Sequence, residues 1–418
     1  MSDQETRLRE LLERMAGEVD APPAMPKPTM RRASRGALAT LVASVGTVAV
    51  VAVGVVVGLR AFTGNNEQRT TPLSRTPTVT PSPGRTTASP TPVGTVSTLF
   101  NAVAFVDATH GWMADPEGIL ATSDGGATWT RQFSGQVIRS LDFVDSTHGW
   151  GVAGGSGGLL RTTDGSTWEQ IEASGGPVLG SVDFASPTVG WGVRLRGYML
   201  YRTDDGGDSW TAIRSGVGAA CLVDPSTGYV AAGPGEFAPR ELLKTTDGGS
   251  TWQTLFQAPG QWNQAEMACP NSETAWVLFL GGGAAGTLDY AAFRTADGGS
   301  TWTAELTSPL ESNDPAFDGV PTIDTYPGPF AAVSASDAVF TGWCSACDAW
   351  TTVMRTTDGT TWTRSKIDGF LPQQVSFADA DHGWLVARAG FQGDDVVLAT
   401  TDGGATWSQV YPETSAAG

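Results

Sequence analysis

The chain has 418 residues, with 53 Gly, 15 Trp and only 16% charged residues, a composition of many short strands and tight turns that excludes a helical bundle. Its net charge of −18 is unevenly spread: residues 1–95 hold 11 Lys/Arg and 7 Asp/Glu, which leaves 14 against 36, or −22, for residues 96–418. A surface this acidic repels phosphate backbones and anionic headgroups, which argues against nucleic acid as a partner and leaves cations, basic proteins and neutral glycans.

Residues 1–36 read as a cytoplasmic tail. Leu8, Leu11, Leu12, Met15 and Val19 fall at helical spacing, with Ser2 and Glu5 placed as a capping box, so a short amphipathic helix is expected. It is either a solvated tail or a docking helix for a cytoplasmic partner. Ala37–Leu59 then runs 23 residues without a charge, enough at about 1.5 Å per residue to cross a hydrocarbon core of about 30 Å. This predicts one transmembrane helix. A cleaved signal peptide would have a shorter apolar run nearer the start and a small-residue cleavage site, and none follows Leu59. Lys27, Arg31, Arg32 and Arg35 precede the span, against Arg60, Arg69 and Arg75 after it, so the expected topology puts the N-terminus in the cytoplasm and the rest outside it.

Residues 60–95 are rich in Thr, Ser and Pro and nearly free of large apolar side chains, which predicts a disordered, semi-extended stalk with hydroxyls open to glycosylation.

From residue 96 to 413 one string returns seven times: TSDGGATW (Thr122–Trp129), TTDGSTW (Thr162–Trp168), TDDGGDSW (Thr203–Trp210), TTDGGSTW (Thr245–Trp252), TADGGSTW (Thr295–Trp302), TTDGTTW (Thr356–Trp362) and TTDGGATW (Thr400–Trp407). The shared Asp residues are Asp124, Asp164, Asp205, Asp247, Asp297, Asp358 and Asp402, and the shared Trp residues are Trp129, Trp168, Trp210, Trp252, Trp302, Trp362 and Trp407. Steps of 40 to 61 residues match one four-stranded blade plus loops. A second signature, as in LDFVDSTHGWGV (Leu141–Val152), reads as strand, turn, strand. The predicted unit is therefore an inner strand, a second strand opening at Gly-Trp, a third strand ending in the box, and an outer strand beginning at the box Trp. Glycines in the box permit positive φ, the Asp can accept from turn amides and hydroxyls, and the Trp packs between blades. That logic is structural: seven carboxylates spread around a ring are too far apart to share a metal or a substrate. His110, His148 and His382 occupy one repeat position, THGW or DHGW, which also points to a structural role.

These strings resemble the Asp-box repeat of sialidase-like and photosystem II assembly factor-like propellers, found also in sortilin-type receptors and some xyloglucanases. The resemblance implies an all-β, seven-bladed β-propeller with one Asp box per blade, and implies that the functional face lies opposite the boxes. Blade 1 is expected to begin with its own inner strand near Leu99 and blade 7 to end near Tyr411, so no strand exchange is predicted; residues 94–98 are the place for an added edge strand. Residues 414–418 are a tail.

Insertions cluster in one sector: Gly233–Glu241, Gly281–Tyr290, Cys344–Trp350 and the connection Ser308–Pro329. Within them Glu236, Arg240, Tyr290, Asp314, Asp318, Asp324, Tyr326 and Trp350 mix carboxylates with aromatics, as a glycan or peptide site does. Cys344 and Cys347 form a CxxC best read as a local disulfide, while Cys221 and Cys269 fall at matching inner-strand positions and can join adjacent blades. No cofactor or metal site is indicated. The expected function is a binding or scaffold propeller for a protein, peptide or cell-wall glycan. The alternative is a sialidase-like or xyloglucanase-like glycoside hydrolase using loop carboxylates over blades 4–6. It lacks the Arg-Ile-Pro motif and arginine triad that the sialidase resemblance would require.

Overall fold

The computed structural model describes Thr91–Pro92 and residues 101–412, apart from 156–157, 172–175, 195–196, 234–238, 285 and 311–313. The chain divides into Met1–Pro83 and Gly84–Gly418. The amphipathic helix, the apolar span, nearly all of the stalk, the C-terminal tail and Glu236 all lie outside the described residues. Among the described residues no helix is long and apolar enough to cross a membrane.

Seven antiparallel four-stranded sheets follow one another along the chain, each built from consecutive strands, so the all-β seven-bladed propeller is what the sequence folds into. Blade 1 spans Ala102–Ser134, blade 2 Ile138–Ile171, blade 3 Leu179–Ser215, blade 4 Val217–Gln257, blade 5 Gln264–Thr307, blade 6 Tyr326–Asp368 and blade 7 Phe370–Tyr411. Among the described residues no strand is exchanged between the first and last blades. Thr91–Pro92 forms an added edge strand that pairs antiparallel with the outer strand of blade 1, Thr91 opposite Arg131; residues 94–98, where one was expected, lie outside the described residues.

Ring closure instead rests on side chains. Phe105 of blade 1 stacks on Trp384 of blade 7 with centroids 3.5 Å apart, and Met113, Leu120, Val386 and Val397 complete one buried cluster shared by the two blades. The same stacking recurs as Trp112 on Phe143 at 3.8 Å and Trp150 on Phe184 at 3.5 Å. At these three junctions a second-strand Trp thus packs on the first-strand Phe of the following blade, and each pair removes a large apolar area from water.

Two polar devices repeat between blades. On the first strands, the Asp142 carboxylate accepts from the Phe184 amide at 2.7 Å, Asp183 accepts from the Leu222 amide at 2.8 Å, and the Ser376 hydroxyl accepts from the Phe105 amide at 3.1 Å. Cys221 holds the equivalent place in blade 4 and is bonded to Cys269 of blade 5, so a disulfide stands where its neighbours use a hydrogen bond. On the face carrying the boxes, a basic residue of one third strand reaches the turns of the next blade: Arg202 donates to Pro225 O at 2.7 Å, Lys244 to Ser272 O at 2.9 Å, and Arg294 to Ala335 O at 2.7 Å.

Candidate functional site

The five box turns with two central glycines carry the same bonds, and the shorter turns of blades 2 and 6 bind their Asp through two successive amides instead. In blade 5, which is representative, the buried Thr295 hydroxyl donates to Asp297 at 2.9 Å and accepts from the Gly299 amide at 2.8 Å, while Asp297 accepts from the Thr301 amide and hydroxyl at 2.8 and 2.7 Å. These donors hold the box carboxylates below the usual range; in Asp247 the Thr251 hydroxyl is the largest cause and the value falls to about 2. Both central glycines have positive φ, 72° and 95° at Gly298 and Gly299. Carboxylates this fully occupied by their own turn have little left for chemistry. His110, His148 and His382 each pair through Nδ1 with an Asp three residues earlier, at 2.9 to 3.0 Å, which closes the turn between first and second strands.

On the opposite face the insertions over blades 5 and 6 form one bonded body. Gly281–Ala284 and Thr287–Tyr290, read from sequence as a loop, extend the second and third strands of blade 5 into a long hairpin. Likewise Tyr326–Pro329, read as part of the connection, belongs to the first strand of blade 6, with Tyr326 opposite Trp343. A Pro-rich start and a Gly-rich end disguised both strands. Between them, residues 314–325 are tied down by apolar anchors: Phe317 is 1% exposed in a core cluster shared with blade 5, and Ile323 is fully buried between blades 5 and 6. The Ser345 hydroxyl donates to Gly286 O at 2.8 Å, and the Leu288 amide donates to Thr325 O at 2.9 Å, so the hairpin, the connection and the Cys344–Cys347 loop are mutually bonded.

The residues chosen from sequence separate into three groups. Asp324 and Trp350 meet: the Asp324 carboxylate accepts from Thr352 Oγ1 at 2.9 Å and from the Trp350 indole at 3.3 Å, with Arg364 3.8 Å away. Tyr326 stands nearby, stacked on Trp343 with centroids 4.8 Å apart, and Trp343 meets the exposed ring of Phe391 edge-on. Tyr290 is not available to a ligand. It is fully buried, and its hydroxyl donates to Asp324 O and accepts from the Ile323 amide, so it fastens the connection; burial pushes its phenol up to about 12. Asp314 caps the single turn Pro315–Phe317 by accepting from the Ala316 amide at 2.8 Å, and Asp318 is exposed at the other end of that turn. Arg240 lies half-buried on blade 4, apart from the others.

Sequence reasoning missed the cations beside this cluster. Lys366 and Arg364 project from the outer strand of blade 6, each about half exposed, and Lys366 Nζ sits 4.0 Å from the centroid of the Trp350 ring. Thr363–Asp368 carries no sequence motif that marks them. Also missed were Asp142, Asp183 and Glu266 on first strands. Asp142 and Asp183 are half-buried, and the loss of hydration raises both carboxyls, Asp183 to about 6, with the nearby Asp183 charge adding to the effect in Asp142.

The chain was then compared with known proteins. No family description and no curated protein matches it. Solved structures do. YCF48 from Cyanidioschyzon merolae superposes with a TM-score of 0.50 at 17% identity, covering 75% of this chain and 98% of the other. The chain shares that fold. YCF48 bound to D1 peptide gives 0.49 at 18% identity over 75% and 96%, and a glycoside hydrolase family 74 xyloglucanase from Xanthomonas campestris gives 0.42 at 15% over 76% and 61%. At these identities the likeness extends to the propeller and no further.

Proposed function

We propose that this chain is a membrane-tethered, extracytoplasmic propeller that binds a protein or peptide through the surface over blades 5 and 6. The observation carrying this reading is that long insertions there are locked by hydrogen bonds, a disulfide and buried Phe317 and Ile323, and that beside them Trp350, Arg364 and Lys366 of blade 6 and Phe391 of blade 7 are open to solvent. A pre-ordered surface of aromatics and cations loses little entropy on binding, and such side chains dominate binding energy at protein interfaces. Tethering rests on the uncharged run Ala37–Leu59, and the exterior location on the charge bias around it and the two disulfides.

Peptides selected for binding to the full-length chain in detergent test the reading. They should lose at least tenfold in affinity on Trp350→Ala with Lys366→Ala, with the melting temperature kept. Selected binders indifferent to both changes would refute it, and turnover of a glycan panel lost on Asp314, Asp318 or Asp324 substitution would establish a hydrolase instead.

A further inference from the structure

Around the face that carries the boxes, five of the seven junctions between blades share one plan. A basic residue on the third strand faces the second-strand residue beside it in the sheet, Trp150 opposite Arg161, Trp191 opposite Arg202, Tyr229 opposite Lys244, Trp276 opposite Arg294 and Val339 opposite Arg355. Its cationic tip reaches backbone carbonyls in the turns of the next blade. Lys244 Nζ lies 2.9 Å from Ser272 O and 3.2 Å from Gly298 O; Arg294 reaches Ala335 O at 2.7 Å and Gly359 O at 3.3 Å; Arg355 reaches Ala380 O at 2.8 Å and Asp402 O at 3.1 Å. Arg161 and Arg202 reach Gly206 O and Gly248 O in the same way. At two of these junctions the cation also lies over the aromatic ring of the second strand, 5.0 Å from Tyr229 and 5.3 Å from Trp276.

The sixth junction, between blades 1 and 2, has Ala121 opposite Trp112, and Gln132 of the outer strand substitutes: its amide donates to Gly165 O at 3.1 Å. The seventh, between blades 7 and 1, has neither. Ala399 stands opposite Trp384, and Val410 holds the place of Gln132. Among the described residues only the Trp384 indole crosses on this face, donating to Gly125 O at 2.8 Å. What remains is a recess of about 410 Å³ lined by Ala108, Asp124, Gly125, His382, Trp384 and Thr401. Around Gly125 the nearest atom to a built Cβ is Ala108 O at 3.0 Å, whereas around Gly298 and Gly206 it is the tip of Lys244 or Arg161. The carbonyls and the aromatic wall of a cation site are thus both present, and the cation is not supplied by the blade itself.

We propose that this recess binds an arginine or lysine side chain presented by a partner protein, completing from outside the arrangement that five other junctions complete with their own residue. The net charge of −22 on residues 96–418 favours the approach of a basic partner. The site lies on the face opposite the one proposed above, so it stands or falls separately.

The probe is the blocked tripeptide acetyl-Gly-Arg-Gly-amide, titrated into the full-length chain in detergent with fluorotryptophan incorporated and followed by fluorine NMR. The Trp384 resonance, assigned by Trp384→Phe, should shift saturably, and a citrulline tripeptide should leave it in place. Ala399→Arg, which installs the missing strap, should weaken the tripeptide at least tenfold and raise the melting temperature. Val410→Gln copies the Gln132 solution and should weaken it likewise, so the test survives if Ala399→Arg fails to fold. No saturable shift at Trp384, an equal response to the citrulline peptide, or undiminished binding in Val410→Gln would overturn the proposal.

Discussion

Replacing Asp183 by Asn should stabilise the propeller at neutral pH and leave it unchanged in acid. Asp183 sits on the first strand of blade 3, where burial holds its carboxyl near pH 6 instead of the ordinary 3.8. An acid whose pKa is raised on folding keeps its proton longer in the folded state, so folding takes up protons between about pH 4 and 6. Stability is therefore greatest below the ordinary pKa and falls as pH rises through about 6, after which it is level. The full cost at neutral pH is up to about 3 kcal/mol for two pH units, and partial solvation brings the expected value to roughly 1–3 kcal/mol. Asn keeps an oxygen to accept from the Leu222 amide, 2.8 Å away, and removes the charge. It also relieves Asp142, which the Asp183 charge raises further. The assay is a melting curve at one scan rate, with wild type and variant side by side at pH 4 and 7.5. For a domain of this size the variant should melt about 2–5 °C higher at pH 7.5 and at the same temperature at pH 4. Equal or lower melting at pH 7.5 would refute the assignment of a costly buried charge.

Three further outcomes follow from the same bonds. Cys221→Ser with Cys269→Ser opens a loop spanning 48 residues and should cost about 4 kcal/mol on the chain-entropy estimate, read as a lower midpoint in urea. Arg355→Ala leaves Asp337, whose side chain is 7% exposed, without its ion pair at 3.0 Å, and frees two carbonyls of blade 7; a loss of roughly 3–5 kcal/mol is expected, and Arg355→Lys should recover part of it. Thr295→Val removes the hydroxyl that bridges Asp297 and the Gly299 amide in a buried place and should cost about 1–3 kcal/mol, measured by chemical denaturation.

The fold was legible because the box turn recurs seven times, and in four blades a Gly-Trp strand and an inner-strand Phe recur in register with it. The disulfide between blades 4 and 5 was legible because near-matching repeat positions of adjacent first strands lie side by side, Cys269 standing one residue beyond the counterpart of Cys221. The candidate site was harder to read. Tyr326–Pro329 and Gly281–Ala284 carry residues that usually mark loops, and they form strands because neighbouring chains already supply the partners. Tyr290 looked like a ligand-facing aromatic, and its burial follows from the strand beginning three residues before it, at Thr287. Lys366 and Arg364 sit in a strand that carries no motif, so nothing in the string marked them until the outer edge of blade 6 was placed beside Trp350.

The account's central claim is that recognition occurs on the locked surface over blades 5 and 6. Photo-crosslinking tests it most directly: a crosslinking amino acid is placed at Phe391, exposed beside Trp343, in the full-length chain on intact cells, with a second variant carrying it at Val137 on blade 2 as the reference. The account predicts a discrete adduct from the Phe391 position that disappears when Trp350→Ala and Lys366→Ala are added, and none from Val137. Adducts from Val137 alone, or adducts at Phe391 that survive those substitutions, would contradict it.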